Sequence, residues 1–248
     1  MLEPVRFPHA PITEAVLEIQ VKLPPTVNLD TVASLQEVVK EQYPTKRKRM
    51  SWKGGLKLEE GKEPEVLAPS NEVIGHLFTS SDGKQVIQSR LDGFAFSRLK
   101  PYDRWETFRN DARDLWQQYS QITTPVVITR LGLRYINRIE LPLPFSDFKE
   151  YILTTPEIAP GLPQAMANFF MRMEIPEPNL PAHVILTQTI EDVTEDKKLP
   201  LIFDIDVFQA GLFDAKSDEV WTIIERLRNI KNDIFFKSLT DKAKDLFR

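Results

Sequence analysis

Apolar and polar residues alternate most regularly over 129–144 (TRLGLRYINRIELPLP), near the middle of the chain. Leu131, Leu133, Tyr135, Ile139 and Leu141 take odd positions, while Arg130, Gly132, Arg134 and Arg138 take even ones. Successive strand side chains point to opposite faces, so this pattern predicts a long strand with one face on a core and the other gathering guanidinium groups. Such a length calls for a bend, taken up most easily as a bulge at Gly132, which has no Cβ. Further strands are expected over 14–23, 52–59, 73–80, 166–175, 183–192 and 201–209. Residues 85–100 read as one long strand or a bulged pair, after a hairpin turn at 81–84.

Helical spacing marks four other stretches. Asn28 is placed to cap a helix running to about residue 43, with Val32, Leu35 and Val39 as its apolar stripe. Asp103 and Glu106 have the spacing of a capping box, ahead of Trp105, Phe108, Ala112, Leu115, Trp116 and Tyr119 on one helical face. That aromatic stripe is read as a helix packed across a sheet. Ser146 would cap a short helix bearing Phe148, Tyr151 and Ile152. A closing helix from Ser217 would bury Val220, Ile223, Leu227, Ile230 and Ile234, with the exposed-looking Phe235, Phe236 and Phe247 expected to pack on their own domain. Residues 45–50 read as a basic connector, and 154–164 as a proline-rich loop.

These elements define an α+β protein, and they recur. LEIQVKLPP before a helix is echoed by INRIELPLP, and LDGFAFS ahead of Trp105 by DIDVFQA ahead of Trp221, at a period of roughly 115 residues. The expected organisation is two similar modules, 1–124 and 125–248, each running strand, helix, several antiparallel strands, helix. Their sheets would join side by side with helices over one face, as one pseudo-duplicated unit. The seam between such halves is a natural cleft for a ligand.

Composition narrows the function classes. The 248 residues are 42% hydrophobic and 27% charged, ordinary globular values with ample material for a core. A net charge of −4 disfavours a bulk nucleic-acid binder. The absence of cysteine excludes disulfides, thiolate nucleophiles and cysteine-ligated metal, and suits a reducing compartment. No apolar run approaches the ~20 residues of a bilayer span. The sequence MLEPVRFPHAP lacks the plan of a signal peptide, so a cytoplasmic location is expected.

The candidate chemistry lies first in Arg130, Arg134 and Arg138, one strand face with roughly 13 Å between neighbours. Such a row suits phosphates or carboxylates, or else pairs with acids on a neighbouring strand. Asp204 and Asp206 are the obvious partners, with Arg134–Asp206 the preferred pair. The same two carboxylates, spaced by two residues, suit a divalent metal, although no third ligand has recognisable spacing. Lys46, Arg47, Lys48 and Arg49, with Trp52, form the one basic and aromatic cluster, suited to phosphate backbones or an acidic protein, or else a solvated loop. His9, His76 and His183 are scattered, and no GxSxG, Walker or GxGxxG pattern occurs, so neither a cofactor nor a resident metal is expected.

PHAPITEAVLEIQ, RLGLRYINRIELP and NDIFFKSLTDKAKDLF, at the start, centre and end of the chain, resemble a bacterial family of sporadically distributed proteins. The resemblance implies a cytoplasmic prokaryotic protein of patchy occurrence, and it brings neither an activity nor catalytic residues. Three expectations follow. One is a non-enzymatic interaction protein, an accessory subunit of a phage-defence or toxin–antitoxin-like system whose partner is encoded nearby. Another is a sensor of a small anionic ligand or nucleotide, bound in the cleft between the modules. The third is a metal-dependent hydrolase or nuclease using Asp204 and Asp206. A homodimer stays open in each.

Overall fold

The structure, a computed structural model, describes residues 7–57, 65–178 and 180–248, with the backbone alone for 52–57 and 65–70. Strand β1 (Ile12–Lys22) buries Ala15, Leu17, Ile19 and Val21 on one face. Asn28 then accepts hydrogen bonds from the Asp30 and Thr31 amides, but the helix it caps is not continuous. Two five-residue helices form instead, α1 (Leu29–Ala33) and α2 (Leu35–Val39). They break at Ser34, whose hydroxyl donates to the Thr31 carbonyl and offers the backbone a local alternative. Val32, Leu35 and Val39 are buried as the stripe predicts.

The basic run at 46–49 is no connector. It belongs to β2 (Thr45–Lys57), which pairs antiparallel with β3 (Glu65–Thr79). β2 lies at the edge of the sheet, where charged side chains keep water access and blunt edge-to-edge association. Residues 85–100 resolve into a hairpin, β4 (Gln85–Arg90) and β5 (Gly93–Leu99). Gly93 has φ +154, and a Cβ there would stand 2.4 Å from the Ile19 carbonyl oxygen, so only glycine fits.

Helix α3 (Trp105–Thr123) buries all six predicted stripe residues. Its cap position is Arg104, one residue past the expected Asp103, with no side-chain cap hydrogen bond. Strand β6 (Val127–Pro142) follows, then a 3-10 turn (Phe148–Glu150) capped by Asp147 instead of Ser146. Glu150 accepts from the Ser146 and Asp147 amides and pairs with Lys242. Lys242 first, and those amides next, hold its carboxyl down at about 2. Strands β7 (Phe170–Pro176), β8 (His183–Ile190) and β9 (Lys198–Phe213) lead to α4 (Glu219–Ser238) and α5 (Asp241–Asp245).

The nine strands among the described residues form one antiparallel sheet in the order β2-β3-β4-β5-β1-β6-β9-β8-β7. β1 therefore lies between β5 and β6, and β6 between β1 and β9. Register runs unbroken through Gly132 on both sides of β6, so the bulge expected there does not form; irregularities fall instead near Ile128–Arg130 and Gln20–Val21. Helices cover one face. Phe94 and Phe96 pack on Trp116, Tyr119 and Phe108 of α3, and Phe203 packs on Phe235 of α4. Phe235 and Phe247 are buried, and half-buried Phe7 packs on Phe247, closing this end of the core with the chain's own residues. Among the described residues, no helix is long and apolar enough to cross a membrane.

Candidate functional site

On the face that no helix covers among the described residues, the predicted arginines and aspartates meet, in a different pairing. Backbone register sets Arg134 opposite Asp206. The guanidinium nevertheless binds Asp204, with Nε at 2.9 Å from Oδ1 and Nη2 at 2.6 Å from Oδ2. Asp206 instead accepts from Arg130 Nη2 at 2.9 Å, and Arg130 also pairs with Glu18. Arg138 binds Glu191 at 2.9 Å and Glu140 at 2.6 Å. The preferred Arg134–Asp206 pair is thus replaced by a diagonal one, because a long side chain crosses the pleat to reach a buried acceptor. Burial raises the Asp206 carboxyl above its usual range, against the opposing pull of Arg130 and Arg134. Both aspartates are turned onto guanidinium groups, and among the described residues no group of three or more metal-ligating side chains forms.

Gly132 has another use than the expected bend. A Cβ there would lie 2.5 Å from Arg130 Nη1, so the bare backbone makes the channel through which Arg130 reaches its acids. The guanidinium also lies over the Phe208 ring, 4.3 Å from its centroid.

The basic cluster does not form one patch. Lys46 and Lys48 pair with Phe78 and His76 in register, and so share the helix-bearing face. Arg47 and Arg49, opposite Leu77 and Gly75, share the other. The ring of His76 is held below its usual pKa by burial first, then by the Lys46 charge. The side chain of Trp52 lies outside the described residues.

The feature with concentrated chemistry is one the sequence pattern does not single out. A cavity of about 960 Å³ opens where β1 begins and β5 ends, between the start of α3 and the second half of α4. Its walls include Phe7–Ile12, Lys100–Glu106, Tyr135, Asn137, Arg228 and Lys231. Lys231 is only 9% exposed, and among the described residues its ammonium has neither a hydrogen-bond nor an ion-pair partner. It stands 4.0 Å above the centroid of the Tyr135 ring. Burial first, and the Arg228 charge second, push it down to about 7.

The tyrosines beneath are coupled, with Tyr102 and Tyr135 hydroxyls 2.7 Å apart. Burial raises both phenols, Tyr102 to about 12. At the rim, Glu225 accepts from Trp105 Nε1 at 2.7 Å and from Arg109 at 2.8 Å, tying α3 to α4. Arg228 lies over the Trp105 ring at 5.3 Å. Asn137, fully buried, donates to the Phe203 carbonyl at 2.9 Å and fixes this end of β6.

A signal for Lys231 does exist in the sequence. The buried stripe of α4 runs Val220, Ile223, Ile224, Leu227, Lys231, Phe235, with Ile230 and Ile234 only half-buried. Lys231 follows Leu227 and precedes Phe235 by one helical turn each, so a cation stands on an apolar stripe. Choosing Ile230 and Ile234 for the stripe rotates the face by one position and hides it. Comparison with known proteins adds no constraint: no family model and no curated protein matches the chain.

Proposed function

We propose that the protein binds a small carboxylate in the cavity between α3 and α4. The observation that carries this reading is Lys231, a buried cation with no anion beside it among the described residues. Leaving such a charge unpaired costs stability, and sites that hold charged ligands accept that cost. Arg228 supplies a second cation one turn away on the same wall, and the aromatic lining supplies the apolar contact typical of ligand pockets.

The test is a melting-temperature series with small mono- and dicarboxylates, repeated on Lys231→Met and Arg228→Gln. A ligand at 100 times its Kd stabilises by about 2.7 kcal/mol. Stabilisation of the native protein that both substitutions reduce is the expected result. Equal responses in all three proteins would remove the reading.

The position of the cavity accords with a further proposal, that 1–124 and 125–248 are two related halves. Supporting it, α3 packs on β5 as α4 packs on β9, and β1 pairs with β6 at the centre. The cavity then lies at the junction, with α3 from one half and α4 from the other.

A second reading, an accessory subunit docked by a protein encoded nearby, is favoured by the uncovered sheet face. Phe170, 70% exposed, shares that face with half-buried Ile202 and Ile185. Co-expression with the neighbouring gene products, followed by native mass measurement, tests it. A complex lost in Phe170→Glu supports the reading, and a monomer or homodimer alone counts against it.

A further inference from the structure

We propose that Lys231 captures a 2-oxo acid covalently, as an imine on its Nζ, with Arg228 holding the carboxylate. The inference rests on the reading of this cavity as a carboxylate site and names the ligand more narrowly.

The geometry begins with α4. Residues three apart on a helix share a face, with Cβ atoms about 5–6 Å apart, so the amine and the guanidinium reach the cavity side by side. The guanidinium is also 3.6 Å from Glu225, whose place a ligand carboxylate would share. A 2-oxo acid carries its electrophilic carbon directly beside a carboxylate, matching a nucleophile next to a cation. The amine is suited to the attack. It sits over an aromatic ring in the cavity wall, with no carboxylate paired to it among the described residues, and near neutral pH a large share of it is unprotonated. An ordinary surface lysine, with a pKa of about 10.4, is almost wholly protonated there.

The step balances without a co-reactant. The lone pair of Nζ attacks the carbonyl carbon, and the C=O π pair moves to oxygen. One N–H proton passes to that oxygen through water, giving a carbinolamine. The remaining N–H proton and the hydroxyl then leave as water, and C=N forms. Nothing is oxidised or reduced.

The test incubates the intact protein with pyruvate or glyoxylate and cyanoborohydride, which reduces an imine to a stable secondary amine, and maps the adduct by peptide mass. Labelling of Lys231 at least about ten-fold faster than of any surface lysine is expected, from its larger neutral fraction. Lys231→Met should lose that adduct, and Arg228→Gln should slow capture of the 2-oxo acids more than that of propionaldehyde, which loses only the help the Arg228 charge gives in keeping the amine neutral. Equal labelling of Lys231 and surface lysines overturns the proposal. So does capture of the oxo acids that Arg228→Gln slows no more than it slows that of propionaldehyde, which would assign a plain carbonyl site. If carboxylates raise the melting temperature and no adduct forms on Lys231, imine capture fails and the binding reading stands. If neither occurs, both fail.

Discussion

Arg134 faces Asp206 across the backbone of β6 and β9, yet its guanidinium closes on Asp204 at 2.6 Å. Asp206 is already held by Arg130, which comes to it across the bare backbone of Gly132. The face is therefore wired diagonally, Glu18 to Arg130 to Asp206 on one track and Arg134 to Asp204 on the next.

Gly132→Ala tests the channel. The backbone of β6 accepts alanine there, but its Cβ would displace the Arg130 guanidinium from Glu18 and Asp206. A loss of about 1–2 kcal/mol is expected by urea denaturation, from weakened charge-assisted hydrogen bonds. In an Arg130→Leu background the same change should cost much less, since the two act through one contact. Equal costs in both backgrounds would break the link.

The Arg134–Asp204 pair is lopsided, with the arginine side chain 48% exposed and the aspartate 10%. Arg134→Ala strands a buried carboxylate and should cost about 1–3 kcal/mol. Asp204→Asn leaves a cation that water can reach, and should cost less than about 1 kcal/mol. Denaturation midpoints in the reverse order would contradict this account.

Lys231 gives stability a pH dependence with a definite sign. Its amine falls to about 7 in the folded chain, against about 10.4 for an unfolded lysine. Between those values the unfolded state binds the extra proton, so stability rises with pH. The favourable contribution is complete above the unfolded value and lost as pH falls through about 7. Among the described residues, the groups nearest the amine are the Tyr135 ring beneath it and Arg228 on its own helix. His9, Lys100, Tyr102, Asp103, Arg104 and Glu106 line the same cavity from other elements. Lys231→Met should therefore stabilise the protein at pH 7, on the order of 2–3 kcal/mol after allowing for the lost cation–π contact. That gain should shrink towards pH 10. A gain independent of pH would show that packing, not charge, sets the effect.

Glu225 is the tie between the long helices. Glu225→Ala removes the acceptor shared by Trp105 and Arg109 and the ion-pair partner of Arg228 at 3.6 Å, while leaving the half-exposed Arg109 free to hydrate. A cost of about 1–2 kcal/mol is expected, together with faster quenching of tryptophan fluorescence by acrylamide as the cavity rim loosens. Unchanged quenching would place the tie elsewhere.

Much of the fold was legible because its signals are local. Alternation over 129–144 marks β6, and the spacing from Trp105 to Tyr119 marks α3, since burial on one face leaves a period in the sequence. The cap at Asn28 was legible for the same reason, although the break at Ser34 depends on a hydroxyl's choice of partner. The basic run at 46–49 misled because its charges hide a strand whose pairing partner lies beyond residue 65. The site was harder still. Register pairs Arg134 with one aspartate while side-chain reach gives it the other, and reach is not encoded in spacing. The cavity gathers residues near positions 9, 102, 135 and 231, which only the sheet order brings together. Of these, Lys231 alone left a trace, as a charge on an apolar stripe.

The position of β1 also shapes how the chain must be made. Both of its partners lie far downstream: β5 is complete only at Leu99, and β6 begins at Val127. During synthesis β1 waits with both edges open while nearly half the protein emerges. Its pairings are among the most distant in the chain, as Ile12 with Asn137 shows. Such closures slow folding and leave a hydrophobic strand available to the wrong neighbour. The β1–β6 pairing is also the one that joins the two sides of the sheet, and the cavity beside it, walled by both ends of the chain, cannot close before α4 has emerged.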